Sequence, residues 1–226
     1  LPLADVDSNK QGTRGFIEIA KLYHGGGCND APGALVNLVR TASGGELQLP
    51  VRAAPEMIGI GDTSLFRYPL LFIHGRRDFR LTPAERTRLA EYLERGGTLM
   101  SDAICASKPF ATALRRELAE TLPNHSIERI PPDDPLFTTA YGGFDIRQVT
   151  LRDPESANAA HPLAARLRQT EPQLEGIRLG DRWAVIFSPY DISCALEEHE
   201  AFGCRGYTRQ DAARIGLNVL LYSLNQ

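Results

Sequence analysis

The chain has 226 residues, 42% of them hydrophobic, and a formal charge of -3. That length buries one sizeable core without staples, the mild acidity leaves no electrostatic footprint for nucleic acid, and no apolar run reaches the ~20 residues of a membrane span. The first residue is Leu1, not Met, so we expect a processed chain or an excised piece of a longer one, with any export signal already missing.

Residues 1–14 read as a polar tail and 15–226 as a single α/β domain. Phe16 to Tyr23 alternates apolar and polar side chains, the period of a strand. It runs into His24-Gly25-Gly26-Gly27-Cys28-Asn29-Asp30, where Asp30 suits the N-cap of a helix burying Leu35, Leu38 and Val39. Gly44-Gly45 closes that helix, and Leu49 to Ala53 reads as a second strand. Tyr68 to Cys105 is the best-defined stretch. Leu70 to Ile73 is a short apolar run, as in strands buried on both faces. Thr82-Pro83-Ala84-Glu85 is a capping box, Leu89, Tyr92 and Leu93 mark the buried helix face, and Gly96-Gly97 ends it. Thr98 to Met100 starts the next strand, which completes a right-handed βαβ unit.

Ser107 to Leu122 spaces Phe110, Leu114 and Leu118 as a core-facing helix. The irregular stretch at 123–175 carries too many apolar residues for disorder and reads as an insertion with short strands. Gly176 to Trp183 turns at Gly180-Asp181 as a β-hairpin, and Trp183 to Phe187 is its buried second strand. Gln210 to Ser223 is the last helix. The expected architecture is a three-layer α/β sandwich, a mostly parallel sheet with helices on both faces and a hairpin in the C-terminal half.

In such a sheet, loops at the carboxyl ends of parallel strands share one crevice. Three of them hold the reactive side chains: His24 to Cys28, Asp102 to Cys105, and Asp191 to Cys194. Two Asp-x-x-Cys segments, each following a buried strand, are the most specific coincidence. A disulfide, Cys105 with Cys194 or Cys28 with Cys204, would pin loops in an oxidising compartment. Thiolates and imidazoles of Cys105, Cys194, His24 and His199 would suit zinc or copper. Cys105 as a nucleophile would need His24 or His199 as its base. Gly25, Gly26 and Gly27 could cradle an anion, although a tight turn with little room for side chains is the stronger reading. Asp102, Asp191 and His74 complete the ligand-binding candidates. Arg76 and Arg77 after His74 could meet an anionic ligand but read rather as a solvated loop, and the Glu197-Glu198-His199-Glu200 run reads as a solvated face.

The element spacing resembles the class I glutamine amidotransferase-like fold, itself flavodoxin-like. Cys105 falls near its nucleophile elbow, and Phe187-Ser188-Pro189-Tyr190-Asp191 lies where such enzymes carry phenylalanine-histidine-proline-glutamate. Ile104 and Ala106 stand in place of the elbow's glycines and Ser188 in place of the base, so the glutaminase triad is incomplete. The chain is also similar to the bacterial domain-of-unknown-function family 4159. The similarity rests on Leu22-Tyr23-His24-Gly25-Gly26-Gly27, Tyr68 to Cys105, Phe110 to Leu118, Phe187 to Asp191 with Cys194, and Gly216 to Tyr222. Cys28 and Cys204 fall outside those segments, which makes them candidates for a bridge particular to this protein. The resemblance implies a periplasmic or otherwise exported domain with no established activity. We therefore expect a non-catalytic or weakly catalytic domain that takes a small-molecule ligand, metal or protein partner at that edge. The alternative is a cysteine-dependent hydrolase or amidotransferase-like enzyme using Cys105.

Overall fold

The computed structural model describes residues 15–155, 165–197 and 203–226. The elements are β1 (Ile17–Lys21), α1 (Ala34–Gly44), β2 (Val51–Ala53), β3 (Leu70–Gly75), α2 (Pro83–Glu94), β4 (Thr98–Ala103), α3 (Lys108–Thr121), β5 (Glu128–Arg129), β6 (Val149–Pro154), β7 (Ala165–Thr170), β8 (Glu175–Leu179), β9 (Arg182–Ser188), α4 (Ser193–Leu196), β10 (Gly206–Tyr207) and α5 (Arg209–Leu224). A seven-stranded sheet runs in the order β2-β1-β3-β4-β9-β8-β5. Its first five strands are parallel, and β8 and β5 add an antiparallel end. A separate antiparallel sheet is ordered β10-β6-β7.

Strand side chains alternate between faces, and the core divides accordingly. Phe72, Met100 and Ile186 pack with Leu35 and Leu38 of α1 and Ile215 and Val219 of α5. Leu71, Ile73, Leu99, Val185 and Phe187 pack with Leu89 and Leu93 of α2 and Leu114 and Leu118 of α3. The sheet is thus the middle of three layers, and doubly buried strands explain the unbroken apolar runs. The capping box forms as expected: Thr82 accepts from the Glu85 amide and Glu85 reaches back. Gly96 ends α2 with φ +105°, and Gly180 turns the β8–β9 hairpin with φ +62°.

One expectation needs correction. Helix α1 starts at Ala34 with Gly33 as its N-cap, not at Asp30. Gly27, at φ +95°, turns the chain first, and Asp30 instead meets Arg77 at 3.2 Å. Within 123–175, β6 and β7 form most of the second sheet. This stretch is fastened to α5 through Asn218, whose amide donates to the Leu136 and Phe144 carbonyls at 2.9 and 2.8 Å. Among the described residues no helix is long and apolar enough to cross a membrane.

Candidate functional site

The loops after β1, β3, β4 and β9 converge at the carboxyl edge of the parallel strands. After β4 the chain turns sharply, and Cys105 and Ala106 both take left-handed backbone, φ 53° and 55°. Such conformations cost on the order of 1–3 kcal/mol each in non-glycine residues and persist only where neighbours impose them. Here Asp191 does so: its Oδ1 accepts from the Cys105 amide at 2.9 Å and the Cys194 amide at 3.3 Å. Its Oδ2 accepts from the Ala195 amide at 3.3 Å. One buried carboxylate therefore gathers both cysteine loops.

Cys105 is disulfide-bonded to Cys204, with Cα atoms 4.4 Å apart. This corrects both expected pairings, Cys105 with Cys194 and Cys28 with Cys204. The cause is the stretch beside β10: Gly206 lies against Asp191, where a Cβ would have no room, and that contact lays Cys204 over Cys105. Cys28 and Cys194 are buried free thiols. Cys194 Sγ lies 3.9 Å from Cys105 Sγ, and the Arg76 guanidinium donates to the two sulfurs at 3.6 and 3.3 Å. Burial and then Asp191 push the Cys194 thiol up to about 12, against the pull of Arg76. The ligand atoms of Cys105, Asp191, Cys194 and Cys204 all lie within 4.8 Å of one another.

Beneath this centre lies a buried polar frame. Asp102 Oδ2 accepts from the Ile192 and Ser193 amides, both at 3.0 Å. Ser193 Oγ is 2.6 Å from Asp102 Oδ1 and 2.6 Å from His74 Nδ1. His74 Nε2 donates to the Cys28 carbonyl at 2.9 Å. His24 is committed to backbone as well: Nε2 donates to the His74 carbonyl at 2.8 Å and Nδ1 accepts from the Gly26 amide at 3.0 Å. Burial lowers His24 to about 4 and His74 to about 3, so both are neutral imidazoles. Asp102, Asp191 and His74, expected as ligand-binding residues, are wholly buried and hold the loops together. Among the described residues His24 stands outside the cluster of ligand atoms, and His199 lies outside the described residues. Gly26 and Gly27 lie in a closely packed turn, whereas Gly25 is exposed with open space around it. The Gly26 carbonyl accepts from the Arg76 and Arg77 amides, both at 2.9 Å, and a Cβ on Gly26 would meet the Arg77 carbonyl at 2.8 Å. Ser188 donates to the Tyr190 carbonyl at 2.6 Å.

Beside the disulfide opens a cleft of about 560 Å³, lined by Lys108, Arg115, Arg129, Arg205, Glu175 and Tyr190 among others. Four cations and one acid line it, and three of the cations are engaged by carboxylates, Arg129 by Glu171 at 3.1 Å among them. Arg115 is held by Glu175 through two bonds of 2.9 and 2.7 Å, and Arg205 meets Asp153 at 2.8 Å. Lys108 makes no ion pair among the described residues. Sequence reasoning missed this cleft because its cations come from α3, β5 and the residue after Cys204, far apart along the chain. It also missed Ser193, which stood in plain view between Asp191 and Cys194, and it left Arg76 in solvent. The family model described as a domain of unknown function (DUF4159) matches residues 18–224, which takes in both Cys28 and Cys204. No curated protein matches the chain.

Proposed function

This chain belongs to the domain-of-unknown-function family DUF4159, and from that premise we propose that it is an exported, non-catalytic domain that binds a small anionic ligand. The ligand, a phosphate or carboxylate compound, sits in the cleft at the carboxyl edge of β4 and β9. The carrying observation is the excess of cations there: Lys108, Arg115, Arg129 and Arg205 against Glu175. Guanidinium groups pre-oriented by carboxylates match such anions bidentately. The scaffold reads as class I glutamine amidotransferase-like, with its elbow cysteine closed in a disulfide. A disulfide fits an oxidising compartment, which supports a periplasmic or exported setting.

Calorimetric titration of the oxidised chain with inorganic phosphate and with citrate tests the reading. We expect saturable binding by at least one of them. Losing hydrogen bonds from charged donors costs about 1.5–3 kcal/mol each, so Lys108→Ala with Arg205→Ala should weaken binding roughly tenfold or more. Absence of heat from both anions, or an unaltered affinity in the double variant, overturns it. A second reading, a hydrolase using Cys105, draws on the left-handed turn at φ 53° that presents this residue. It requires prior reduction and a base. Among the described residues His24 and His74 spend both ring nitrogens inside the protein.

A further inference from the structure

We propose that opening the Cys105–Cys204 disulfide converts this centre into a site for zinc or another thiophilic cation, ligated by Cys105, Cys194, Cys204 and Asp191. The inference goes beyond the anion cleft and does not depend on it. Three sulfurs and one carboxylate oxygen already lie within 4.8 Å of one another, drawn from three separate loops. Tetrahedral zinc with Zn–S bonds of about 2.3 Å sets its sulfurs roughly 3.8 Å apart. The unbonded pair, Cys105 and Cys194, stands at 3.9 Å.

The surroundings are those a thiolate site requires. Asp191 is oriented by three backbone amides: Oδ1 accepts from Cys105 and Cys194, while Oδ2 accepts only from Ala195 and keeps a second lone pair for a metal. Arg76 donates to two of the sulfurs from the open side. Three thiolates and a carboxylate leave a divalent centre with two excess negative charges, and the guanidinium offsets one of them. Such outer contacts orient and tune metal ligands. His24, expected to ligate, is not needed: the soft donor set is complete without it.

The chemistry balances. A dithiol reductant passes two electrons to the Cys105–Cys204 bond, becoming a disulfide itself, and leaves two thiols. The cation then binds, and the three cysteines release three protons as they ligate beside the Asp191 carboxylate. A small-molecule disulfide that takes back the two electrons, and is itself reduced to two thiols, re-forms the Cys105–Cys204 bond; this removes two ligands, expels the metal and returns a proton to Cys194. Disulfide and metal are therefore mutually exclusive states of one centre, and the thiol redox state selects between them.

The test loads the full chain, reduced by a trialkylphosphine or left oxidised, with zinc or cobalt(II) and then desalts it. We expect one equivalent of metal on the reduced protein, with a thiolate-to-cobalt charge-transfer band, and less than about a tenth of an equivalent on the oxidised one. Cys194→Ser leaves the disulfide intact, so its fold is verified oxidised. After reduction it should bind at least tenfold more weakly, whereas Cys28→Ser should bind as the parent does. Failure of the reduced protein to take up stoichiometric metal overturns the proposal. So does parental affinity in Cys194→Ser, or a reduced chain that unfolds and is not refolded by zinc.

Discussion

Ser193 Oγ lies 2.6 Å from His74 Nδ1, a contact that ties the loop after β9 to the end of β3. The same hydroxyl is 2.6 Å from Asp102 Oδ1, so one proton faces two acceptors. The Cys28 carbonyl can only accept, which places a proton on His74 Nε2 and leaves Nδ1 needing a donor. One added proton completes the chain, from Asp102 to Ser193 to His74. Burial and the Asp191 charge push Asp102 up to about 7, while burial pushes His74 down to about 3.

The pH dependence of stability follows from those opposite shifts. The raised Asp102 contributes stability that is full below its unfolded value of 3.8 and fades as pH rises to about 7. The lowered His74 contributes stability that is full above 6.5 and fades as pH falls to about 3. Between roughly pH 4 and 6.5 folding moves one proton from imidazole to carboxyl, and the two slopes cancel. Asp102→Asn uncovers the histidine: relative to the parent it should lose about 1.4 kcal/mol per pH unit toward acid across that window. His74→Gln should tilt the profile the other way. Urea midpoints measured from pH 4 to 7 decide it, and parallel profiles for all three proteins would place the proton elsewhere.

Thiol titration of the denatured, unreduced chain should count two reactive thiols of the four, Cys28 and Cys194. In the native chain Cys194 should resist alkylation near pH 8, because its thiol is pushed up to about 12. Closing a loop with a sequence separation of 99 restricts the unfolded chain strongly. Replacing Cys105 and Cys204 together by alanine should therefore cost about 2–5 kcal/mol in denaturant unfolding. Peptide mapping that finds Cys105 joined to Cys194 would reverse the assignment.

The sheet was legible because its signals are local. Apolar runs such as Leu70 to Ile73, the Thr82–Glu85 box and the Gly180 turn each act within a few residues. The two Asp-x-x-Cys loops also announced a shared edge. What they could not announce was which sulfur meets which. That choice rests on Gly206 packing against Asp191, a contact between residues whose separation in sequence says nothing of their approach. Nor does residue type separate a site from its frame: His24, His74 and Asp102 look reactive, yet their polar atoms are spent on one another and on backbone.

Arg205 follows Cys204 directly and lines the cleft, so the bridge and the ligand site are coupled. In the oxidised chain Arg205 is anchored on both sides, by the disulfide and by Asp153 at 2.8 Å. Without the bridge that side chain has more freedom to lose on binding. Cys204→Ser should then bind phosphate or citrate several-fold more weakly, with Lys108 and Arg115 unchanged. Calorimetry on the folded variant measures this, and an affinity equal to the parent's would uncouple the two features.

The glycine-rich turn gives a last discriminating case. If residues 25–27 cradled an anion, small substitutions there and beneath them would alter binding first and stability second. The packing says the reverse. Gly75, at the end of β3, supports the turn from below; a Cβ there would press on the Gly26 carbonyl and come within 2.7 Å of the Phe110 ring. Neither can give way, since that carbonyl already accepts the Arg76 and Arg77 amides and Phe110 is fully buried beside Phe79. Overpacking of this kind costs about 1–3 kcal/mol. Gly75→Ala should therefore lower the urea midpoint and displace Arg76, whose amide hangs from the same carbonyl. Anion affinity at the cleft should stay at the parent's value, because none of the residues that line it belongs to this turn. Unchanged stability together with lost anion binding would restore the glycines as ligand contacts.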